Sequence, residues 1–296
     1  MVIEPIPEPD RIVERPFGAW ATAVTSDVVV AAAVRLGEVR VDGPHDGGGD
    51  GDRDVVWAEG RPAEGGRTQL VRRRADGGTD ELLPEGRNAR TAVHEYGGAA
   101  WWVHGGVVWF TDWADQRLYR LEPGAEPVPL TPAPDRPRGD RYADGDLGPD
   151  GTKIVCVRER HHGDAATDVV NEVVILDAHA PGEPEVLVTG PDFVAAPRLS
   201  ADGTTLAWLQ WNHPAMPWDA AELVVRDLAT GEETIVAGGP GESVTESRWR
   251  PDGSLWFLSD RTDWWNLYRW QPGHDIEPAG VVEQLDHRGL GWGVVA

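Results

Sequence analysis

The segment from residue 88 to residue 106, NARTAVHEYGGAAWWVHGG, carries the side chains best suited to chemistry. Just before a pair of glycines it places Arg90, His94, Glu95 and Tyr96. A cation, an imidazole, a carboxylate and a phenol in one loop could bind a peptide end or a carboxylate. The competing interpretation is a hydrogen-bond network that caps a turn, with the glycines allowing close packing. The first interpretation makes these four residues a candidate substrate-binding site.

Motifs for other chemistries are missing or incomplete in the sequence. The hydrolase motif Gly-x-Ser-x-Gly is approached at residues 241–245, GESVT, where Thr245 replaces the second glycine. His161 and His162 would point to opposite faces of an extended chain, so they could not readily bind one metal ion. No glycine-rich phosphate loop follows a strand and opens a helix. We therefore predict no catalytic residue, no metal ligand and no cofactor for this chain.

A second unusual segment is WNHPAMPWD, residues 211–219. Its two prolines and two tryptophans make it a stiff, apolar insertion between strands. It could line a cavity or fill the gap between two neighbouring sheets, and we favour the second interpretation.

A repeat of about fifty residues must position both segments. LGPDG, LSADG and WRPDG begin at Leu147, Leu199 and Trp249, and an apolar strand follows each of them. Asp-Gly favours the positive φ of a two-residue hairpin turn. Weaker copies of the unit begin at Asp52 and Gly105. Five units are therefore visible.

Each unit predicts four short strands joined by turns, with almost no helical periodicity, which is typical of a β-propeller blade. The predicted fold class is all-β, an incomplete propeller of about five four-stranded blades. Large aromatic rings would fill the wedges between blades. We expect that packing role for five tryptophans near the end of the chain: Trp249, Trp256, Trp264, Trp265 and Trp270.

The predicted domain organisation has two parts, an N-terminal arm with a lead-in strand at 1–35 and propeller blades at 36–296. Two stretches read as loops. Residues 42–54 are rich in glycine and aspartate, and residues 131–146 form a proline-rich connection between the second and third units.

Charge limits the possible partners. The chain has 27 Lys and Arg against 50 Asp and Glu, a formal charge of −23. Such a surface repels phosphate backbones and anionic lipid, so neither nucleic acid nor a membrane is expected as a partner, whereas a free peptide amine would be attracted. No segment has 18 uninterrupted apolar residues, and the one cysteine, Cys156, lies in an apolar run. We expect a cytoplasmic protein.

The sequence resembles the prolyl oligopeptidase family of serine peptidases, in the branch of dipeptidyl aminopeptidases and acylaminoacyl peptidases. The segments that carry the resemblance are PFGAWATAVTSD (16–27), EGRPAEGGRTQLVRR (59–73), RTAVHEYGGAAWWVHGGVVWFTDWADQRLYRL (90–121), WNHPAMPWDAAELVVRDL (211–228) and SDRTDWWNLYRW (259–270). They occur in order and extend over roughly residues 16 to 280.

The resemblance implies a propeller of about seven blades that covers a C-terminal α/β-hydrolase domain with a Ser, Asp and His triad. It implies that the propeller gates access of short peptides. This sequence ends at Ala296 without the motifs of that domain. We therefore expect a fragment or a truncated gene product whose partner is the missing hydrolase domain, and which is inactive alone as a peptidase.

Two other functions fit the sequence. One is a stand-alone binding propeller that holds proteins or peptides without chemistry. The other is a propeller glycosidase, which needs a pair of carboxylates in the channel. No such pair stands out among the many acidic residues.

Overall fold

The computed structural model describes residues 33–42 and 53–279, together with residues 16, 18–19 and 24–25. Most of the predicted N-terminal arm and most of the predicted 42–54 loop lie outside these residues. Five four-stranded antiparallel sheets follow one another along the chain, arranged in a ring as the blades of a β-propeller. The predicted all-β propeller of about five blades is confirmed.

The strands run in chain order within the blades. Blade 1 holds β1 (Arg35–Asp42), β2 (Asp54–Arg61), β3 (Arg67–Arg73) and β4 (Thr79–Glu81). Blade 2 holds β5 (Trp101–His104), β6 (Val107–Thr111), β7 (Leu118–Leu121) and β8 (Val128–Pro129). Blade 3 holds β9 (Asp140–Leu147), β10 (Lys153–His161), β11 (Val169–Asp177) and β12 (Glu185–Thr189). Blade 4 holds β13 (Phe193–Leu199), β14 (Thr205–Trp211), β15 (Glu222–Asp227) and β16 (Glu233–Gly238). Blade 5 holds β17 (Val244–Trp249), β18 (Leu255–Ser259), β19 (Asn266–Trp270) and β20 (Glu277–Pro278).

Helical structure is confined to connections in the described chain. Three short 3-10 helices span Pro62–Glu64, Val93–Glu95 and Ala166–Asp168, and one turn of α-helix, α1, spans Pro217–Ala220. No helix among the described residues is long and apolar enough to cross a membrane.

Alternation along the strands builds one apolar cluster between each pair of consecutive blades. Because successive side chains of a strand point to opposite faces, Trp101 packs toward blade 1 and Trp102 toward blade 3. Trp208 packs toward blade 3, while its neighbour Ala207 faces blade 5. Burial of these rings holds the blades face to face, since each buries roughly 150–250 Å². Cys156 is buried between blades 2 and 3 as a small apolar side chain.

The five tryptophans expected to pack between blades do so only in part. All five are half-buried, and two of them, Trp249 and Trp270, pack against the cluster between blades 4 and 5. The fully buried indoles are those of Trp101, Trp109 and Trp208, which lie on inner strands earlier in the chain. The rings near the chain end therefore cover the core rather than form it.

Two local predictions were wrong. The connection predicted at 131–146 contains β9, the innermost strand of blade 3, from Asp140 onward. The Asp-Gly turns are not two-residue hairpins, because five residues separate β9 from β10, β13 from β14 and β17 from β18. In each loop the glycine nevertheless has positive φ, between 71° and 80° at Gly151, Gly203 and Gly253, which supplies the left-handed residue that a three-to-five-residue hairpin needs.

The aspartates of these loops predict an acid dependence of stability. The Asp202 carboxylate accepts hydrogen bonds from Ser200 Oγ at 2.6 Å, from Thr204 N at 3.1 Å and from Thr204 Oγ1 at 2.8 Å. These bonds, that of Ser200 first, lower the pKa of Asp202 from 3.8 to about 2. Because the pKa of Asp202 is lower in the folded than in the unfolded state, the ionised carboxylate stabilises the fold above the unfolded pKa. This stabilisation is lost as the pH falls through the folded pKa. A carboxyl ¹³C titration should show a midpoint near pH 2 for Asp202, and Ser200→Ala should raise it. A midpoint near 3.8 in the wild type would contradict this assignment.

Candidate functional site

The candidate residues lie at one rim of the propeller, called here the upper rim, where the first strand of each blade begins and the second ends. His94 and Glu95 form the 3-10 turn before β5, with Tyr96 directly after it. The two turn residues both have positive φ, 55° at His94 and 65° at Glu95. Consecutive non-glycine residues in this region are strained by about 1–3 kcal/mol each and persist only where the surroundings fix them. Such strain is typical of functional sites.

Glu159, at the end of β10, fixes the turn from the neighbouring blade. Its buried carboxylate accepts a hydrogen bond from His94 N at 2.6 Å and another from Arg141 Nη1 at 3.0 Å. Its Oε1 also lies 2.6 Å from His161 Nε2. The turn that blade 2 carries is therefore anchored on an acidic residue of blade 3.

Arg141 completes this arrangement. Its Nη1 donates to Ala92 O at 2.8 Å and to Glu95 Oε1 at 2.7 Å. The bond from Arg141 lowers the pKa of Glu95, and the nearby guanidinium of Arg138 acts in the same direction. Glu95 is therefore ionised at neutral pH. Its side chain is 76 % exposed and so is open to a ligand.

A second carboxylate holds the far end of the segment. Asp144 Oδ1 accepts from Ala99 N at 2.9 Å, and Oδ2 accepts from Ala196 N at 3.0 Å, so this side chain joins blades 2, 3 and 4. A Cβ at Gly98 would lie 3.0 Å from Asp144 Oδ1 and 3.1 Å from the Cβ of Ala143. The close packing expected of the glycine pair is present at Gly98.

Three aromatic rings contact the His94 imidazole, and a fourth packs against one of them. His94 contacts Tyr96, Phe193 and Trp211 at centroid distances of 5.7, 5.3 and 5.6 Å. Phe193 also stacks on Trp211 at 5.3 Å and meets His213 edge-on at 5.0 Å. The two segments singled out in the sequence, 88–106 and 211–219, thus meet at this rim.

Burial sets the protonation of these rings. Desolvation lowers the pKa of His94 despite the opposing charges of Glu159 and Asp144, so the imidazole is neutral at pH 7. Partial burial raises the pKa of Tyr96, together with the charges of Asp144 and Glu159, so its phenol keeps its proton. Tyr96 is 59 % exposed and can donate a hydrogen bond to a ligand.

Arg90 lies apart from the other three predicted residues, on the Trp113 ring, with its carbon Cζ 4.3 Å from the ring centroid. The structure therefore brings His94, Glu95 and Tyr96 into one turn and places Arg90 beside it on the same rim. The sequence did not point to Glu159, Arg141, Phe193 or Trp113. The signal that could have found Glu159 is its place in a strand that continues from IVCV, because period-2 alternation puts it on the same face as Val155 and Val157.

The ligand atoms of Glu95, Glu159 and His161 lie within 4.8 Å of one another, which is the spacing of a metal site. Arg141 already occupies the space between the two carboxylates through its bonds to both. A cation would have to displace that guanidinium. We therefore interpret the group as the support of the turn.

A cleft of about 490 Å³ between blades 4 and 5 lies at the opposite rim. It is lined by the hairpin loops that contain Asp202 and Asp252, whose carboxylates cap their own loops. The chemically varied groups are at the upper rim, so we place the candidate site there.

The fold and the strained rim turn define a five-bladed propeller with a polar and aromatic site between blades 2, 3 and 4. No family model matches the chain, and no curated protein matches it. Solved structures do match. A puromycin-hydrolysing peptidase of Mycobacterium tuberculosis is 38 % identical, with a TM-score of 0.77, over 90 % of this chain and 42 % of that chain.

Two structures of puromycin hydrolase match the chain to a similar extent. One is 35 % identical over 90 % of this chain and 42 % of the other, with a TM-score of 0.77. The second, the S511A mutant complexed with PGG, is 36 % identical over 88 % of this chain and 41 % of the other, with a TM-score of 0.76. The chain thus spans about two fifths of the length of these relatives. The peptidase family inferred from the sequence is confirmed, and this chain is a propeller of that family.

Proposed function

We propose that this chain is the substrate-gating propeller portion of a serine peptidase that acts on short peptides. Its similarity to puromycin-hydrolysing peptidases over 88–90 % of its length carries the proposal. The whole enzyme would hydrolyse peptides by acyl transfer to a serine outside this chain. The propeller would exclude large folded proteins. A cytoplasmic location, expected from the sequence, belongs to the same proposal.

Within this function, the upper-rim turn binds the amino end of the peptide. Glu95 is ionised and exposed, and its Oε1 is held by Arg141 while Oε2 faces no described donor. Tyr96 adds a hydroxyl donor, and the neutral His94 supports both. The acidic surface attracts the same cationic group over longer distances. A free peptide amine therefore binds a carboxylate that is held in place and surrounded mainly by aromatic side chains.

Binding of tri-alanine to the 296-residue chain, measured by isothermal titration calorimetry, tests the proposal. We expect measurable affinity for the wild type and a loss of about tenfold for Glu95→Gln, which removes one charge-assisted hydrogen bond. Glu126→Gln is the matched control, because Glu126 is an exposed glutamate in the loop between β7 and β8 at the opposite rim. An unchanged affinity for Glu95→Gln would contradict the role given to Glu95.

The chain alone is expected to be inactive. Incubation with puromycin or with alanine p-nitroanilide should give no turnover above the buffer rate, because no described residue offers an activated serine. Turnover that increases with the concentration of the chain would contradict the proposal that the catalytic serine lies outside it.

A further inference from the structure

Two arginines pack on one tryptophan at the upper rim. The Cζ atoms of Arg90 and Arg138 lie 4.3 and 4.2 Å from the centroid of the Trp113 ring. Arg90 comes from the connection between blades 1 and 2, and Arg138 from the connection between blades 2 and 3. Trp113 follows β6 of blade 2, and its backbone N donates to Asn88 O at 2.9 Å. Contact with an aromatic face restricts each guanidinium without using its N–H donors.

Neither guanidinium has an acidic partner among the described residues, in ion pairs or in side-chain hydrogen bonds. This is unusual here, because Asp and Glu outnumber Lys and Arg by 50 to 27. In the same connection, Arg136 is paired with Asp164. Two cations without carboxylate partners on one ring therefore form a local positive site on a strongly acidic protein.

The loops around the pair are held in place. Arg138 has a φ of 58°, a left-handed conformation, and the next residue, Gly139, accepts a hydrogen bond from His161 N at 2.7 Å. Arg90 N donates to Thr111 O at 3.1 Å, at the end of β6. The backbone thus presents both cations from fixed positions, as expected of a binding site on rigid elements.

The pair lies next to the acidic turn. His161, which anchors the Arg138 loop through its backbone, also contacts Glu159 through its ring. The positive charge of Arg138 is one of those that favour the ionised form of Glu95. Opposite charges, a carboxylate and a pair of guanidiniums, therefore lie side by side on one rim.

We propose that Arg90 and Arg138, supported by Trp113, bind the C-terminal carboxylate of a short peptide whose amino end lies at Glu95. The inference rests on the proposed function and adds to it a preference for short peptides whose C-terminus is free. Guanidiniums suit this role because their planar donors match the two oxygens of a carboxylate. A peptide with a blocked C-terminus loses these bonds, and a long chain cannot place its carboxylate here.

Calorimetry with three probes tests the site on the 296-residue chain: tri-alanine, tri-alanine amide and N-acetyl-tri-alanine. We expect the amide to bind the wild type about tenfold more weakly than the free acid. Arg138→Ala and Arg90→Ala should each weaken the free acid by a similar factor and leave the amide unchanged. Arg138→Lys, which keeps the charge but not the planar donors, should lie between the wild type and Arg138→Ala.

Arg250→Ala is the matched control. Arg250 also packs on a tryptophan, Trp256 at 5.4 Å, but it lies in blade 5 at the opposite rim. Its removal should change no affinity for any probe. The thermal melt of each variant shows whether its fold is intact.

The outcomes separate the inference from the function it rests on. Equal affinity of the wild type for acid and amide, or an equal loss of both in the arginine variants, overturns the carboxylate site and leaves the peptide-binding function intact. Acetylated peptide that binds as well as the free acid, with Glu95→Gln unaffected, overturns the role of Glu95 and leaves the carboxylate site supported. No binding of any probe overturns both.

Discussion

Replacing Glu172 with alanine is expected to destabilise the protein by about 3–5 kcal/mol, because it leaves the buried Arg158 without its counter-ion. Arg158 lies on β10, directly opposite Glu172 on β11, and its side chain is 2 % exposed. Arg158 Nε and Nη2 each lie 2.7 Å from Glu172 Oε2. The other acidic neighbour, Glu183, is 3.7 Å from Nη1 and largely exposed, so it cannot replace the lost partner.

Urea unfolding measured by tryptophan fluorescence would give this change in the free energy of unfolding. Glu277→Ala is a control, because the pair of Arg269 and Glu277 is half-exposed and such pairs contribute about 0–1 kcal/mol. The double variant Arg158→Met with Glu172→Leu should recover most of the loss, since well-packed apolar residues can replace a buried ion pair. A loss below about 1 kcal/mol for Glu172→Ala would show that water reaches Arg158, contrary to its burial.

The same pair shows why the sequence predicts blades better than it predicts their interiors. The run KIVCVRER predicts a strand from its β-branched residues. Alternation places Arg158 on the same face as Cys156. That this face is closed by blade 2 depends on residues distant in the sequence, such as Trp102 and Trp109, which a strand pattern does not contain.

The architecture itself was predictable because the repeat is local. Each unit carries its own turn glycine and its own apolar alternation, so the blades can be counted without knowledge of their neighbours. The innermost strand of blade 3 was missed because its own sequence lacks such a local pattern. Its sequence, DRYADGDL, has two charged residues in each half and a glycine within it, and it reads as a loop. β9 nevertheless pairs with β10, and a bulge at Asp144 and Gly145, opposite Cys156, accommodates the two residues that break the register.

The sequence predicted the residues of the candidate site that are close together in the chain, but not the residues that support them. Arg90, His94, Glu95 and Tyr96 are close in sequence, and their placement in one rim loop followed from that. Their supports come from other blades, since Arg141 and Glu159 belong to blade 3 and Phe193 to blade 4. A charged residue at the end of a strand has no sequence feature that separates a solvated side chain from a buried support.

Glu159→Gln is expected to weaken tri-alanine binding by roughly 5- to 150-fold, although Glu159 is 3 % exposed and does not reach the ligand. The Glu159 carboxylate accepts from His94 N and Arg141 Nη1 and lies 2.6 Å from His161 Nε2. Glutamine offers one acceptor oxygen and turns an NH₂ group toward donors. The left-handed conformations of His94 and Glu95 then lose the contact that fixes them, at a cost of about 1–3 kcal/mol. Glu159 is thus a positioning residue, and calorimetry with tri-alanine measures the loss.

Amide hydrogen exchange distinguishes positioning from general destabilisation. Exchange should accelerate at residues 93–97 and remain unchanged in β11 and β12 of the same blade, because local opening exposes only the released turn. Glu185→Gln is the matched control, an exposed glutamate at the start of β12 that should alter neither exchange nor binding. Uniformly faster exchange across blade 3 would make Glu159 a general stabilising residue. If exchange at residues 93–97 accelerates while the affinity for tri-alanine is unchanged, the geometry of the turn does not determine peptide binding, contrary to the role given to Glu159.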